Sequence, residues 1–372
     1  MAEFKVRPDE AIIVHSAPLA TTVTQLLQQT DMPPEDAALA ADVLVRADLR
    51  GVDTHGVSNM LRVYIERLKT GMYNPRPTVR TIRESPATAT LDSDWGLGVV
   101  TAPRAMAIAI QKAKTVGVGM VTVGNGRHLG MSAYHAMLAL PHDMIGICTT
   151  AVGPSMVPTW GREPRMGTNP IAVAVPCGEE PAFVYDGATT AVAGNKIGSA
   201  RRVGGILPPG LIADSDGVPI MDAVLPPQDD VRLLPLGSTY EAGSHKGYGL
   251  ACVVEVLGSV LSGSQVGFIA GPGAANHFVA ALDVAAFADL ATFKSDMDGF
   301  VRGLKITPPA AGRERVVVAG QLEWETERHR TVHGIPLHPE VIDWFDKACD
   351  NAGVARLERA SQPGLQAEAQ RT

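Results

Sequence analysis

The sequence contains no CxxC pair. Its four cysteines, Cys148, Cys177, Cys252 and Cys349, are scattered. That excludes a zinc ribbon and argues against a disulfide framework, and isolated thiols suit a reducing cytoplasm. There is no long basic patch, and the net charge is −7, so neither nucleic acid nor an anionic membrane is expected as a partner. The stretch MAEFKVRPDEAII lacks an apolar h-region, so no signal peptide is expected. The longest uncharged stretch runs from Val256 to Asn276 and could span a bilayer by length. It is rich in Gly and Ser and holds Gln265 and Pro272, so it reads as a buried helix followed by a loop.

Catalytic signatures are missing as well. HExxH, GxSxG and a Walker A loop are all absent, which removes three common hydrolase and phosphate-transfer readings. His329, His333 and His338 cluster in sequence, and His55 follows Asp53. A metal-dependent hydrolase is therefore the alternative from another class. Their spacing matches no common zinc motif, and no metal is expected. No internal repeat is found.

The 372 residues, 45% hydrophobic and 19% charged, describe a globular chain long enough for two domains. Residues 17–72 read as three helices. The first runs from Leu19 to Gln29. The second starts at the Pro33-Pro34 pair and stops before Gly51. The third starts with Asp53 as its cap and carries Val57, Met60, Leu61, Tyr64, Ile65 and Leu68 at helical spacing. The tract Asn74-Pro-Arg-Pro77 reads as an extended linker.

From Thr88 onward short β-branched runs alternate with Ala-rich helical segments, an α/β pattern. Val118–Val123, Ile145–Thr150, Ile171–Val175, Ala182–Tyr185, Phe278–Leu282 and Arg315–Val318 read as strands. Pro103–Thr115, Ser132–Leu140, Gly247–Leu261 and Pro339–Gly353 read as helices, and a further helix is expected to begin near Thr189. Residues 204–243 form a Pro/Gly-rich excursion, with a turn at Asp214–Gly217. The expected division is a helical domain over 1–85, completed by 335–360, an α/β domain over 86–334, and a disordered tail over 361–372.

The loop Gly124-Asn-Gly126-Arg-His128-Leu-Gly130 invites a dinucleotide-binding reading. Its glycines are spaced GxGxxxG, one residue off the usual fingerprint. The next strand, Met144–Thr150, ends without the acidic residue that would hold a ribose. The other reading starts from His128, placed just before a helix, where the macrodipole disfavours a charged imidazole. Such a histidine is a candidate acid/base group. His55 also falls at a Gly-flanked helix start, and the pair suggests one shared site.

Read together, several stretches resemble the type 2 malate/L-lactate dehydrogenase family. They are ADLRGVDTHGV ending at Val57, then YIERLKTGMYNPRP, NGRHLG, GTNP at Gly167–Pro170, DGATTAVAGNKI from Asp186 to Ile197, and HKGYGL from His245 to Leu250. The resemblance covers roughly residues 10–350. It implies a non-Rossmann, three-layer α/β dehydrogenase fold with a smaller helical domain, in subunits that form homodimers. It implies hydride transfer between the C4 of NAD or NADP and the C2 of a small 2-hydroxy or 2-oxo acid of malate, lactate, sulfolactate or sugar-acid type. NADPH-dependent reduction of a cyclic imino acid is the alternative.

His128 and His55 match family histidines given the acid/base role. The substrate carboxylate calls for a cation, and Arg grips one with two parallel hydrogen bonds. Many members place that Arg four residues after the first histidine, where this chain has Asn59. Arg62 and Tyr64 are the substitutes, and Asn59 also leaves open a catalytically dead binding protein. Thr168 and Asn169 are expected beside substrate or nicotinamide. Asp186, Gly187 and Ala188 are expected at the cofactor ribose, His245, Lys246 and Gly247 at its phosphate, and Arg313 as a further phosphate contact.

Overall fold

The computed structural model describes residues 4–360, so the tail expected to be disordered lies outside the described residues. The chain opens with strand β1 (Ile12–Val14) and helices α1 (Ser16–Gln28), α2 (Pro34–Leu49) and α3 (Val57–Lys69). Pro34 stands at the first helical position of α2, where its missing N–H costs nothing. Gly51, at φ +74°, stops the helix. Its N–H reaches the Asp48 carbonyl and that of Val52 reaches Ala47, the paired bonds of a left-handed C-terminal cap.

The start of α3 differs from expectation. Asp53 does not cap it, because its carboxylate is held by Arg330 at 2.5 Å. The buried Asp48 reaches across from α2 and accepts the Val57 N–H at 2.8 Å. His55 therefore precedes the helix instead of projecting from its first turn.

The chain continues through β2 (Arg80–Glu84), β3 (Thr88–Asp92), α4 (Gly98–Val116), β4 (Val118–Gly124), α5 (Ser132–Met137), β5 (Met144–Val152), β6 (Ile171–Val175) and β7 (Phe183–Gly187). Helix α6 (Gly194–Arg202), the short strands β8 (Ile212–Ala213) and β9 (Arg232–Leu233), α7 (Ser244–Glu255) and α8 (Gly267–Ala270) lead to β10 (Ala275–Asp283). Then come α9 (Leu290–Lys305), α10 (Gln321–His333), β11 (Ile335–Leu337) and α11 (Pro339–Ala352).

Seven strands form one sheet in the order β2-β3-β4-β10-β5-β6-β7. Only β3 and β4 run parallel, joined by α4 as the crossover that a parallel pair requires. Every other neighbouring pair is antiparallel. The fold is α/β with a mixed sheet, and no doubly wound nucleotide-binding sheet is present among the described residues. One apolar core runs from Leu19, Leu44 and Leu61 in the helices to Val121, Cys148 and Ala172 in the sheet. A smaller cluster around Met156, Ile197 and Leu233 lies under the excursion. Strand β11 pairs with β1, which brings the C-terminal segment back onto the N-terminal helices.

Three expectations fail for physical reasons. Arg315–Val318 is not a strand; the segment meets the edge of β7 through one bond, Val184 N–H to the Ala319 carbonyl. No helix starts near Thr189. The Thr189 and Ala191 N–H groups are taken by the Thr168 and Leu234 carbonyls, so the chain stays extended until Gly194. The Val256–Asn276 stretch is not a buried helix. It continues α7 for one wide helical turn at Val256–Val260, then gives way to a loop that holds the short α8. What fails is the burial, since Val256, Val260, Leu261 and Ile269 are each more than half exposed. Gly258 and Ser259 face inward in their place. No helix among the described residues is long and apolar enough to cross a membrane.

Candidate active site

The glycine-rich loop after β4 fixes the position of His128. After β4 the chain is pinned on several sides: Ser93 N–H bonds the Gly124 carbonyl, Trp95 N–H that of Asn125, and Ala275 N–H that of Gly126. It passes so close to α4 that a Cβ on Gly98 would lie 2.2 Å from the Arg127 carbonyl oxygen. His128 emerges from this fixed turn. Its Nδ1 lies 2.6 Å from the Tyr64 hydroxyl and accepts the Gly130 N–H at 3.2 Å.

The two histidines singled out in the sequence do meet. The His55 and His128 rings stack with centroids 5.6 Å apart and planes within 7°, and His55 Nδ1 pairs with Thr54 Oγ1 at 2.9 Å. Each ring keeps some exposure but is otherwise walled by protein. That desolvation holds His128 well below the usual histidine range, and repulsion from His55, once that ring is protonated in acid, and from Arg67 adds to it. Burial pushes His55 down to about 4. Both rings are neutral near pH 7.

Neutral His128 must carry its proton on one nitrogen. With the proton at Nε2, Nδ1 accepts from Gly130 N–H and Tyr64; with the proton at Nδ1, the Tyr64 hydroxyl accepts it and the Nε2 lone pair is free to take a proton. Tyr64 is wholly buried, with its hydroxyl turned to the histidine. It therefore acts through His128 and not as a wall of the substrate site.

His128 opens onto a cavity of about 270 Å³, walled by Arg67, Tyr73, the Val152–Pro154 turn and the Pro272–Ala275 turn. Arg67, Tyr73 and both turns were missed in the sequence. A signal for Arg67 existed: it stands three residues after Tyr64, and residues at that spacing share a helix edge. Behind the site stand two further histidines that escaped notice. His277, on β10, bonds Thr150 Oγ1 at 2.8 Å, and His135, on α5, bonds the Leu129 carbonyl at 2.8 Å. Both are fully buried, and burial pushes them down to about 3 and about 4.

Arg62, the expected carboxylate ligand, points elsewhere. It pairs with Glu340 at 2.8 Å and lies over the Trp344 ring, on the outer face of α3. Asn59 is engaged as well, donating to the Asp53 carbonyl at 2.6 Å. Asn169 is fully buried. It bonds the Val152 N–H and the Ala251 carbonyl, so it braces the cavity wall from behind and offers no open face to a substrate.

The expected cofactor segments converge. Thr189, after Asp186-Gly187-Ala188, bonds the Thr168 carbonyl and is bonded by Leu236 N–H. Gly247 packs on Leu236 so closely that a Cβ would lie 2.4 Å from its carbonyl oxygen. The Asp186 carboxylate accepts the Ala133 N–H at 2.7 Å through one oxygen, near the start of α5. No side chain caps the start of α7, where His245 and Lys246 are exposed. The His245 ring meets Tyr240 at 5.1 Å, and Tyr240 meets Trp160 at 4.6 Å. Arg313 lies on an exposed turn. This donor set fits a dinucleotide: a strand-end carboxylate for a ribose, and a cation beside an uncapped helix start for a diphosphate.

Among the described residues no three His, Cys, Asp or Glu side chains stand close enough to hold a metal. Of the alternative histidine cluster, His329 and His333 touch on α10, while His338 caps α11 by accepting the Glu340 N–H.

Comparison with known proteins gives a consistent result. The family model described as malate/L-lactate dehydrogenase matches residues 14–345. The malate dehydrogenase of Pyrococcus abyssi is 36% identical over 346 residues, covering 91% of this chain and 95% of that protein. The L-sulfolactate dehydrogenase of Methanocaldococcus jannaschii is 36% identical, covering 89% and 95%. The solved malate dehydrogenase of Pyrococcus horikoshii OT3 superposes with a TM-score of 0.87 at 33% identity, covering 96% of this chain and all of that one.

Proposed function

The chain belongs to the malate/L-lactate dehydrogenase family and is a hydroxy-acid oxidoreductase, and we propose that His128 is the acid/base group of a nicotinamide-dependent reaction at the C2 of a small 2-hydroxy or 2-oxo acid. The observation that carries this is the His128–Tyr64–His55 cluster opening onto a cavity. A bound NAD or NADP supplies or takes the hydride; the protein's own task is to move one proton and to hold the acid still.

In oxidation the neutral ring carries its own proton at Nδ1, donated to the Tyr64 hydroxyl, and takes the substrate hydroxyl proton at Nε2. In reduction the protonated ring returns a proton from Nε2 to the carbonyl oxygen. Its lowered proton affinity makes the charged ring a strong acid for that step. His55, stacked on it, limits the ring's freedom and keeps water from its rear face. Thr168 lies beside the substrate or nicotinamide and the Asp186–Ala188 segment holds the cofactor's ribose side, with His245, Lys246, Gly247 and Arg313 at its phosphates.

The protein works as a homodimer. The exposed apolar run Val253, Val256, Val260, Leu261 and Ile269 is the face a second copy covers, since contiguous apolar surface of this kind marks an association site. Its four unpaired cysteines fit a reducing compartment.

The test is absorbance at 340 nm with NADH or NADPH and a panel of 2-oxo acids and cyclic imino acids. Loss of signal with a 2-oxo acid supports the reading, and the cofactor that works identifies itself. Loss with a cyclic imino acid alone moves the chain to imine reduction. Absence of both turnover and cofactor binding refutes the proposal.

A further inference from the structure

The cavity that holds His128 has one cationic wall. Arg67 lines it, half-buried near the end of α3. Most buried or half-buried guanidinium groups in this protein have an acidic partner. Arg50 and Arg46 share Glu327, Arg330 holds Asp53, and Arg202 holds Glu340. Arg67 pairs with no carboxylate among the described residues. Its Nη1 donates to the Tyr73 hydroxyl at 2.5 Å, and its guanidinium lies 5.5 Å from the centre of the Tyr73 ring. The backbone adds a clamp, with Tyr73 N–H bonding the Arg67 carbonyl.

This is a cation held in place with most of its donors unused. Its charge already acts on the catalytic ring, as one of the influences that keep His128 neutral. The rest of the wall is Val, Pro, Gly and Ala, with no acidic side chain. Arg127 stands nearby, but it is stacked on Trp95 at 4.1 Å and its donors go to the Met72 and Gly126 carbonyls. An unpaired guanidinium beside an acid/base histidine in a small apolar cavity calls for a compact anion.

We propose that Arg67 is the carboxylate anchor of this site. It takes the C1 carboxylate of the substrate through two N–H groups and sets the C2 oxygen against His128. The inference rests on the hydroxy-acid reading above and assigns the cation that neither Asn59 nor Arg62 supplies. Tyr73 is its positioning residue, holding the guanidinium plane through ring and hydroxyl.

The test compares wild type, Arg67→Lys and Arg67→Gln with oxaloacetate, pyruvate and the uncharged analogue pyruvamide, each with NADH and NADPH at 340 nm. Cofactor binding, followed by fluorescence, serves as the folding check. Arg67→Gln should raise KM for the acid that wild type reduces by about 100-fold, the size of a lost charge-assisted pair. It should leave cofactor binding intact and change turnover of pyruvamide by less than threefold. Arg67→Lys keeps the charge without the fork and should lose about tenfold.

If wild type turns over an acid and Arg67→Gln keeps its KM, the anchor is elsewhere and the hydroxy-acid reading stands. An equal loss with acid and amide makes Arg67 structural and also overturns the assignment. If wild type reduces no acid at all, the reading falls and the anchor with it. Should Arg67→Gln fail to fold, Arg67→Lys decides: an unchanged KM overturns the proposal.

Discussion

Tyr64→Phe removes one oxygen from the site and leaves the buried ring in place. In the neutral enzyme that oxygen serves His128 Nδ1 at 2.6 Å, an ordinary hydrogen bond with a net worth of about 1 kcal/mol. When the ring takes up a proton, the same oxygen accepts from a charged donor, and such bonds are worth roughly 1.5–3 kcal/mol. The difference, about 1–1.5 kcal/mol, is the stabilisation lost from the protonated ring alone. At about 1.4 kcal/mol per factor of ten, the charged form becomes roughly tenfold scarcer.

Reduction of a 2-oxo acid, which needs that form, should slow about tenfold in kcat with KM within twofold of wild type. Oxidation should change less, because the neutral ring already dominates. The assay is kcat and KM in both directions from pH 5 to 8, with Tm as a check that the core is intact. An unchanged kcat with a raised KM would refute the reasoning, since it would mean that the hydroxyl touches substrate instead of His128.

Other outcomes follow from the same geometry. His128→Asn should cut turnover roughly 10²–10⁴-fold while fluorescence still reports cofactor binding; near-normal turnover removes His128 from its role. Because His128 is held well below the usual range by burial, oxidation rates should stay flat from pH 8 to 6, and reduction rates should climb as pH falls. A bell centred near 7 in either direction would contradict this.

His135 and His277 are depressed to about 4 and about 3 against about 6.5 in the unfolded chain. Their contribution is therefore complete above pH 6.5 and fades as pH drops towards 4. At pH 5 each should have lost about 2 kcal/mol, visible as a falling denaturant midpoint, and a stability that is level from pH 7 to 5 would contradict their burial. Gly98→Ala would drive a Cβ to 2.2 Å from the Arg127 carbonyl and 2.8 Å from His277 Nε2. It should displace the His128 turn and abolish most activity, and a fully active variant would show that the turn can give way.

What the sequence revealed was set by local chemistry. Pro34 and Gly51 bracket α2 because a missing N–H and a positive φ have only a few places to go. Gly353 closes α11 in the same way. His55 and His128 stood out because each sits among glycines, and the structure stacks their rings.

Long-range facts stayed hidden. An α/β alternation reads the same whether strands run parallel or not, and here β10 enters antiparallel between β4 and β5. His277 lies in an apolar run and looks like nothing but core. Arg62 and Arg67 are both charged positions on one amphipathic helix. Glu340 and Trp344, nearly 280 positions away, turn the first into a surface pair, and the 272–275 turn makes the second a cavity wall. Asp53 looked like a cap until Arg330 took its carboxylate.

The place of β10 also sets a timetable. The turn bearing His128 leaves β4, and the opposite wall at Val152–Pro154 leaves β5. These two strands are consecutive along the sheet's path in sequence yet never touch. The strand that joins them is made more than a hundred residues later; Thr150 and His277, bonded at the middle of the sheet, are 127 positions apart. A ribosome that has delivered everything up to α8 has made His55, Tyr64, Arg67 and His128 and none of the seam that unites the sheet. Closing so long a loop is slow compared with local helix formation. Until then the nascent chain carries two half-sheets with open inner edges, a form with no activity and a need for protection from its neighbours.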